Sequence, residues 1–229
     1  IASYTITYDT TSSGSSVCPN TSTQTVEIAV AAIANNHSFS FDGSDDYIDA
    51  GLLTEMSGAT EFTISVWFKY NWQTVAKSLF GNRDSTNSYR GVGLEFGRNP
   101  ITKFSYFYLT SSTATGTVDF APNTFISNQW HHLVITYDGT TAKGYVDNGT
   151  AITKSISGGT FTTTSNFNIG KDATNAGAIR ANIDEFAIWN TALTSTQVAE
   201  IYNAKGTNLT KDLTTVSGSN LKYWNRMGD

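Results

Sequence analysis

The sequence predicts an all-β fold: a two-sheet antiparallel sandwich closed by one short C-terminal helix. Three observations predict it. Short runs rich in β-branched and aromatic residues recur along the 229 residues, separated by turns such as Asp138-Gly139, Asn148-Gly149 and Gly158-Gly159. Hydrophobic residues make up 39% of the chain and aromatic residues 13%, enough for a packed core, whereas charged residues are only 14%. Residues 193–202 trade the two-residue strand period for a helical one. Thr194 and Gln197 have capping-box spacing, Leu193 and Val198 the spacing of a hydrophobic staple, and Val198, Ile201 and Tyr202 share one face.

The elements follow in order. Tyr4-Thr5-Ile6-Thr7-Tyr8 alternates as an edge strand, Gly14 and Pro19 punctuate a polar loop, and Gln24 to Val30 reads as a second strand. Residues 1–35 are expected to form an extension that adds strands to a neighbour or to the main sandwich. The body spans 36–205. Its clearest strands are Phe62 to Lys69, Trp130 to Tyr137 and Ala181 to Trp189, the last running into the helix. Residues 206–229 read as a tail that leads into a further segment.

Charge and composition exclude several classes. A net charge of −5 without a Lys/Arg cluster excludes a phosphate-binding nucleic-acid interface. No apolar run approaches the ~20 residues of a membrane-spanning helix. The lone Cys18, in a Ser/Thr-rich loop, cannot form an internal disulfide and reads as an unreactive surface thiol.

Several segments, in order, carry a family resemblance. They are Ser40-Phe41-Asp42-Gly43-Ser44-Asp45-Asp46-Tyr47-Ile48, Phe62-Thr63-Ile64-Ser65-Val66-Trp67-Phe68-Lys69, Trp130-His131-His132 through Tyr137-Asp138-Gly139, Tyr145-Val146-Asp147-Asn148-Gly149, and Asn182-Ile183-Asp184-Glu185-Phe186-Ala187-Ile188-Trp189-Asn190. Together they resemble laminin-G-like, concanavalin A-like jelly-roll domains over residues 37–205. The resemblance implies a jelly-roll sandwich. It also implies a structural Ca²⁺ bridging Asp42 and Gly43 to Asp184, with Asp45, Asp46 and Asp49 adding charge nearby. Trp67, Trp130 and Trp189 match inner positions of the family and are expected in the core.

Candidate chemistry is sparse. Glycosidases on this fold resemble one another in a strand with carboxylates at alternate positions, and no such motif occurs here. Asp184 and Glu185 are adjacent, so regular strand geometry points them to opposite faces. The same argument separates His131 from His132, one expected inside the sandwich and the other exposed. His37 stands at the domain entrance without a visible partner. For ligand binding, Trp72, Tyr89, Tyr106 and Tyr108 are the aromatic candidates; Tyr106 and Tyr108 share one strand face. Gly91 and Gly93 inside a strand point to close backbone packing.

These readings lead to a non-catalytic adhesion or carbohydrate-binding module of a larger extracellular or virion surface protein. Its partners would be a glycan or cell-surface ligand and neighbouring protein subunits. The alternatives are a structural assembly subunit that uses the N-terminal arm and, third, a glycoside hydrolase.

Overall fold

A computed structural model of the chain describes residues 2–9, 21–28, 32–73, 75–97, 105–172 and 177–229. Cys18 lies outside the described residues. The strands are β1 (Ala2–Asp9), β2 (Thr21–Ile28), β3 (Ala32–Ala34), β4 (Phe39–Asp42), β5 (Ile48–Asp49), β6 (Phe62–Tyr70), β7 (Lys77–Gly81), β8 (Gly91–Phe96), β9 (Ser105–Thr110) and β10 (Thr115–Phe120). Then come β11 (Trp130–Tyr137), β12 (Thr141–Val146), β13 (Ile152–Ser155), β14 (Asn168–Ile169) and β15 (Arg180–Trp189). One α-helix, α1 (Ser195–Asn203), precedes β16 (Leu209–Lys211) and β17 (Leu221–Asn225).

Two antiparallel sheets face each other. One runs β10-β9-β8-β7-β14-β5; the other runs β13-β12-β11-β6-β15-β17, with β4 also paired to β15. This is the concanavalin A-like jelly-roll sandwich expected from the sequence. The strand period builds the core: Phe62, Ile64, Val66, Phe68 and Tyr70 of β6 point inward, as do Leu133, Ile135 and Tyr137 of β11 and Val92, Leu94 and Phe96 of β8. The predicted turns supply the reversals. Asp147 and Asn148 both take positive φ, 50° and 59°, which suits a tight hairpin between right-twisted strands.

Helix α1 starts where its cap predicts. The Thr194 hydroxyl accepts from the Gln197 backbone N–H, and the Gln197 side chain accepts from the Thr194 N–H. The helix covers the outer face of the seven-stranded sheet. One of His131 and His132 was expected inside and the other exposed; both are buried, and His132 lies beneath this helix, stacked on Trp67 at 4.6 Å, with Tyr202 of α1 5.9 Å away. Burial pushes its imidazole down to about 3. His131 does face inward. The Ile126 N–H donates to its Nε2, which leaves Nδ1 to donate to Asp147 at 2.8 Å.

Residues 206–229 are built into this body. They supply β16, which pairs with β3, and β17, which pairs with β15. Leu213 and Val216 bury Trp189 in a second, smaller core outside the sandwich, and the Trp189 indole donates to the Val216 carbonyl. His37 finds its partner in Asp229, 192 residues away, at 2.9 Å. Strands β1 and β2 pair with each other as a separate two-stranded sheet.

Candidate functional site

The outer face of the six-stranded sheet carries a polar, aromatic cluster. Phe107 and Leu109 of β9 go into the core, so Tyr106 and Tyr108 go out. The glycines beneath them determine how Tyr108 lies. A Cβ at Gly93 would overlap the Tyr108 hydroxyl, and one at Gly81 would stand 2.5 Å from it. Two facing glycines thus open a trough in which the phenol lies flat across β8 and β7. Its hydroxyl donates to Asp172 at 2.8 Å. The Arg83 guanidinium stacks on the Tyr108 ring at 3.8 Å and reaches Glu95 at 3.4 Å and Asp172 at 3.9 Å.

Burial and charge work against each other here. Arg83 keeps 18% of its side-chain surface, Glu95 10% and Asp172 none. Desolvation opposes the charge on Arg83, but Tyr108, Asp172 and Glu95 outweigh it, so the guanidinium is held more firmly charged than in water. Burial, helped by Glu95, pushes the Tyr106 phenol up to about 12. The Tyr108 phenol is pushed well up by burial and then by Asp172. Both phenols therefore remain hydroxyl donors across the physiological range.

The candidate aromatic residues divide. Tyr89 stands 59% exposed in the β7–β8 loop, six residues from Arg83. Trp72 does not join Tyr106 and Tyr108. It packs edge-on against Tyr70 at 5.7 Å and Phe96 at 6.1 Å, both core residues, because β6 delivers it to the inner edge of the sandwich. Sequence reasoning missed Arg83, Glu95 and Asp172. Glu95 has no carboxylate partner in its own strand; Asp172 joins it across the sheet, through Arg83. Two facing glycines beside a tyrosine pair were the available signal, since missing side chains on one sheet face leave room for a large one.

The expected metal set is not one site. Asp42 pairs with Arg180, four residues before Asp184 on β15, which separates them by about 13 Å at ~3.3 Å per residue. Asp42 instead gathers with Asp45 and Asp46, their ligand oxygens all within 4.8 Å of one another. The Ser44 N–H donates to Asp42 Oδ1 at 2.7 Å, and Gly43 makes the turn with φ 87°. Three exposed carboxylates so close match the hard oxygen donors that a divalent cation such as Ca²⁺ takes.

Asp184 faces outward by ordinary alternation after Ile183, and a bulge that follows it brings Glu185 to the same face. The register of β15 shifts between Asp184 and Ala187, and Glu185 takes φ 49°. Ile183 and Phe186 both point inward, so Asp184 and Glu185 both leave the core face, contrary to the alternation expected of a regular strand. Asp184 accepts from Asn35 at 2.9 Å, and Glu185 accepts from the Trp224 indole at 2.6 Å. Trp67 and Trp130, expected in the core, also lie on this outer face; Trp130 is 40% exposed.

Comparison with known families finds that the concanavalin A-like lectin/glucanases superfamily matches residues 42–199. Solved structures with a similar fold include the CBM40 of the Ruminococcus gnavus IT-sialidase bound to α2,3-sialyllactose, with TM-score 0.57 and 16% identity over 71% of this chain and 94% of that one. A candidate carbohydrate-binding protein of Bacteroides ovatus matches with TM-score 0.59 and 16% identity over 95% of this chain and 58% of that one. Tailspike protein 2 of an Escherichia coli O157:H7 bacteriophage matches with TM-score 0.58 and 13% identity over 85% of this chain. This chain spans 30% of that tailspike's length. Comparison with curated protein sequences gave no match.

Proposed function

The chain belongs to the concanavalin A-like lectin/glucanase superfamily, and from that premise we propose that it is a non-catalytic carbohydrate-binding module of a secreted or surface protein. The observation that carries this reading is the Tyr106–Tyr108–Arg83–Glu95 platform on the outer face of the six-stranded sheet. The half-buried Tyr106 ring offers an apolar face to the C–H side of a sugar, while Tyr108, buried beneath Arg83, holds the guanidinium in place. The Arg83 guanidinium, partly exposed, donates to ring and hydroxyl oxygens, and the Tyr106 phenol lies beside it at the rim. Groups already fixed by packing lose little entropy on binding. The carboxylates here are engaged with Arg83 and Tyr108 rather than free to flank a glycosidic bond, which favours recognition over hydrolysis. The relatives that bind glycans or form tailspikes support the same assignment. Ca²⁺ would be held by Asp42, Asp45 and Asp46, remote from the platform in sequence, as a structural ion.

A glycan array tests the reading. The parent protein should bind a defined subset of glycans. The double variant Tyr89→Ala/Tyr106→Ala should lose that binding while its melting curve is kept, because Tyr89 is exposed and Tyr106 half-buried. A blank array with the parent, unchanged binding by the variant, or release of reducing ends from a bound glycan would each sink it.

A second reading, a structural assembly subunit, is favoured by the β1–β2 hairpin, whose strands pair only with each other among the described residues. Gel filtration separates the two: a glycan-binding monomer excludes assembly as the function of the isolated chain.

A further inference from the structure

The outer face of the seven-stranded sheet contains a cavity of about 500 Å³, lined by Trp67, Trp130, Asp184, Asn35, Lys205 and Thr210 among others. That volume falls within the ~300–1,000 Å³ of small-molecule sites. It is on the opposite sheet from the Tyr106–Arg83 platform. We propose that this cavity is a second sugar site, which takes one neutral pyranose residue stacked on Trp67 and hydrogen-bonded to Asp184 and Asn35. The proposal rests on the carbohydrate-binding reading above but not on the platform itself.

Four observations carry it. First, His132 and Tyr202 share one face of Trp67, which lines the cavity with the Lys205 ammonium 5.8 Å from its ring centre. They stack on it at 4.6 and 5.6 Å, yet their rings are only 5.9 Å apart. Rings on opposite faces of an indole would be separated by about 7 Å or more, twice a ~3.5 Å van der Waals contact, so both occupy the same face. The sheet order agrees: β11 brings His132 to one side of Trp67, and β15 brings Asp184 to the other. Second, Asn35 Oδ1 is buried without a hydrogen-bond partner, an acceptor that a sugar hydroxyl satisfies.

Third, the cavity mixes donors and acceptors. Asp184 accepts from Asn35 and from the Glu185 N–H and retains further lone pairs, and the Lys205 ammonium stands over Tyr202 at 3.3 Å. The lining carries one carboxylate and one ammonium, Asp184 and Lys205, and Glu185 behind it is paired with Arg226, so neither sign prevails and a neutral polyol with one apolar face fits. Fourth, the bulge after Asp184 holds Glu185 in the left-handed region and sets it beside Asp184 on the outer face, a strained local geometry of the kind that clusters at binding sites.

The indole N–H signals of the five tryptophans, followed by nuclear magnetic resonance, test the proposal. Methyl β-D-glucopyranoside and methyl β-D-galactopyranoside serve as neutral probes, N-acetylneuraminic acid as the anionic one. At least one neutral probe should shift Trp67 and Trp130 saturably, and the anionic probe should not. Asp184→Asn, which changes an acceptor without changing shape, should weaken this about tenfold, as loss of a charged hydrogen bond does. Trp130→Ala should weaken it too, and Tyr106→Ala should leave it intact. No shift up to the solubility limit of the probes, a shift indifferent to Asp184→Asn, or shifts that depend on protein concentration without sugar would each overturn the inference. Shifts that spare Trp67 and Trp130 and vanish in Tyr106→Ala would overturn it and leave the platform reading in place. A blank glycan array would sink the platform reading, while this site is judged on the two indole signals alone.

Discussion

Asp184 and Glu185 show how one residue's placement becomes a pH dependence. Burial raises their carboxyls to about 6 and about 7, from unfolded values near ~4. The folded state therefore holds more protons than the unfolded one across this interval, and each group withdraws stability as pH rises from ~4 toward 7. His132 has the opposite sign. Its folded value of about 3 lies below the ordinary ~6.5, so its contribution grows as pH rises toward 6.5. Asp147 and Asp138, held low, have completed their contribution above ~4 and add no slope. Replacing either raised carboxyl removes only the downward component. The melting temperature of Asp184→Asn or Glu185→Gln, minus that of the parent, should therefore increase steadily between pH 4 and pH 7. A difference that is flat with pH would show that the two carboxyls titrate as they do in water.

At the scale of elements, α1 turns an outward-facing strand surface into a second interior. It buries Val198 against Val134 and Tyr145, and Ile201 against Trp189 and Leu193. Its entry depends on Thr194, whose hydroxyl and backbone N–H both join the capping box. Thr194→Ala should cost about 0.5–2 kcal/mol, measured by denaturant unfolding, with the slope of the transition unchanged. A cost near zero would mean that packing of the apolar face alone holds the helix. The β15 bulge is the other decisive element. One residue out of register reverses the alternation of the strand and places two neighbouring carboxyls on the same side of the sheet.

On the scale of the whole molecule, the two ends of the body are tied to each other. β3 pairs with β16, β17 extends the sheet beyond β15, and Asp229 accepts from the backbone N–H groups of Asn36 and His37. The hairpin β1–β2 has no such ties to the body among the described residues. Deleting residues 1–31 should leave the sandwich folded with little change in melting temperature. Deleting 206–229 should expose Trp189 and abolish the cooperative transition, since Leu213, Val216 and β17 are lost together. Near-ultraviolet circular dichroism with thermal melting reads both. A cooperative transition in the shorter C-terminal variant would show that the second core is dispensable.

The sequence by itself determined what local chemistry can specify. The two-residue period placed the main strands, Gly and Asn placed the turns, Thr194 and Gln197 placed the helix start, and Tyr106 and Tyr108 were assigned to one face. Tertiary structure alone decided what each outer face meets. It put Trp67 and Trp130 outside the core, buried His132 under a helix and moved Asp184 away from Asp42. It also gathered Arg83, Glu95 and Asp172 from three separate segments. The physical reason is that periodicity gives the two faces of a strand but not which neighbour covers each. Strand order, register and a single bulge settle that, and all three depend on residues far apart in the chain.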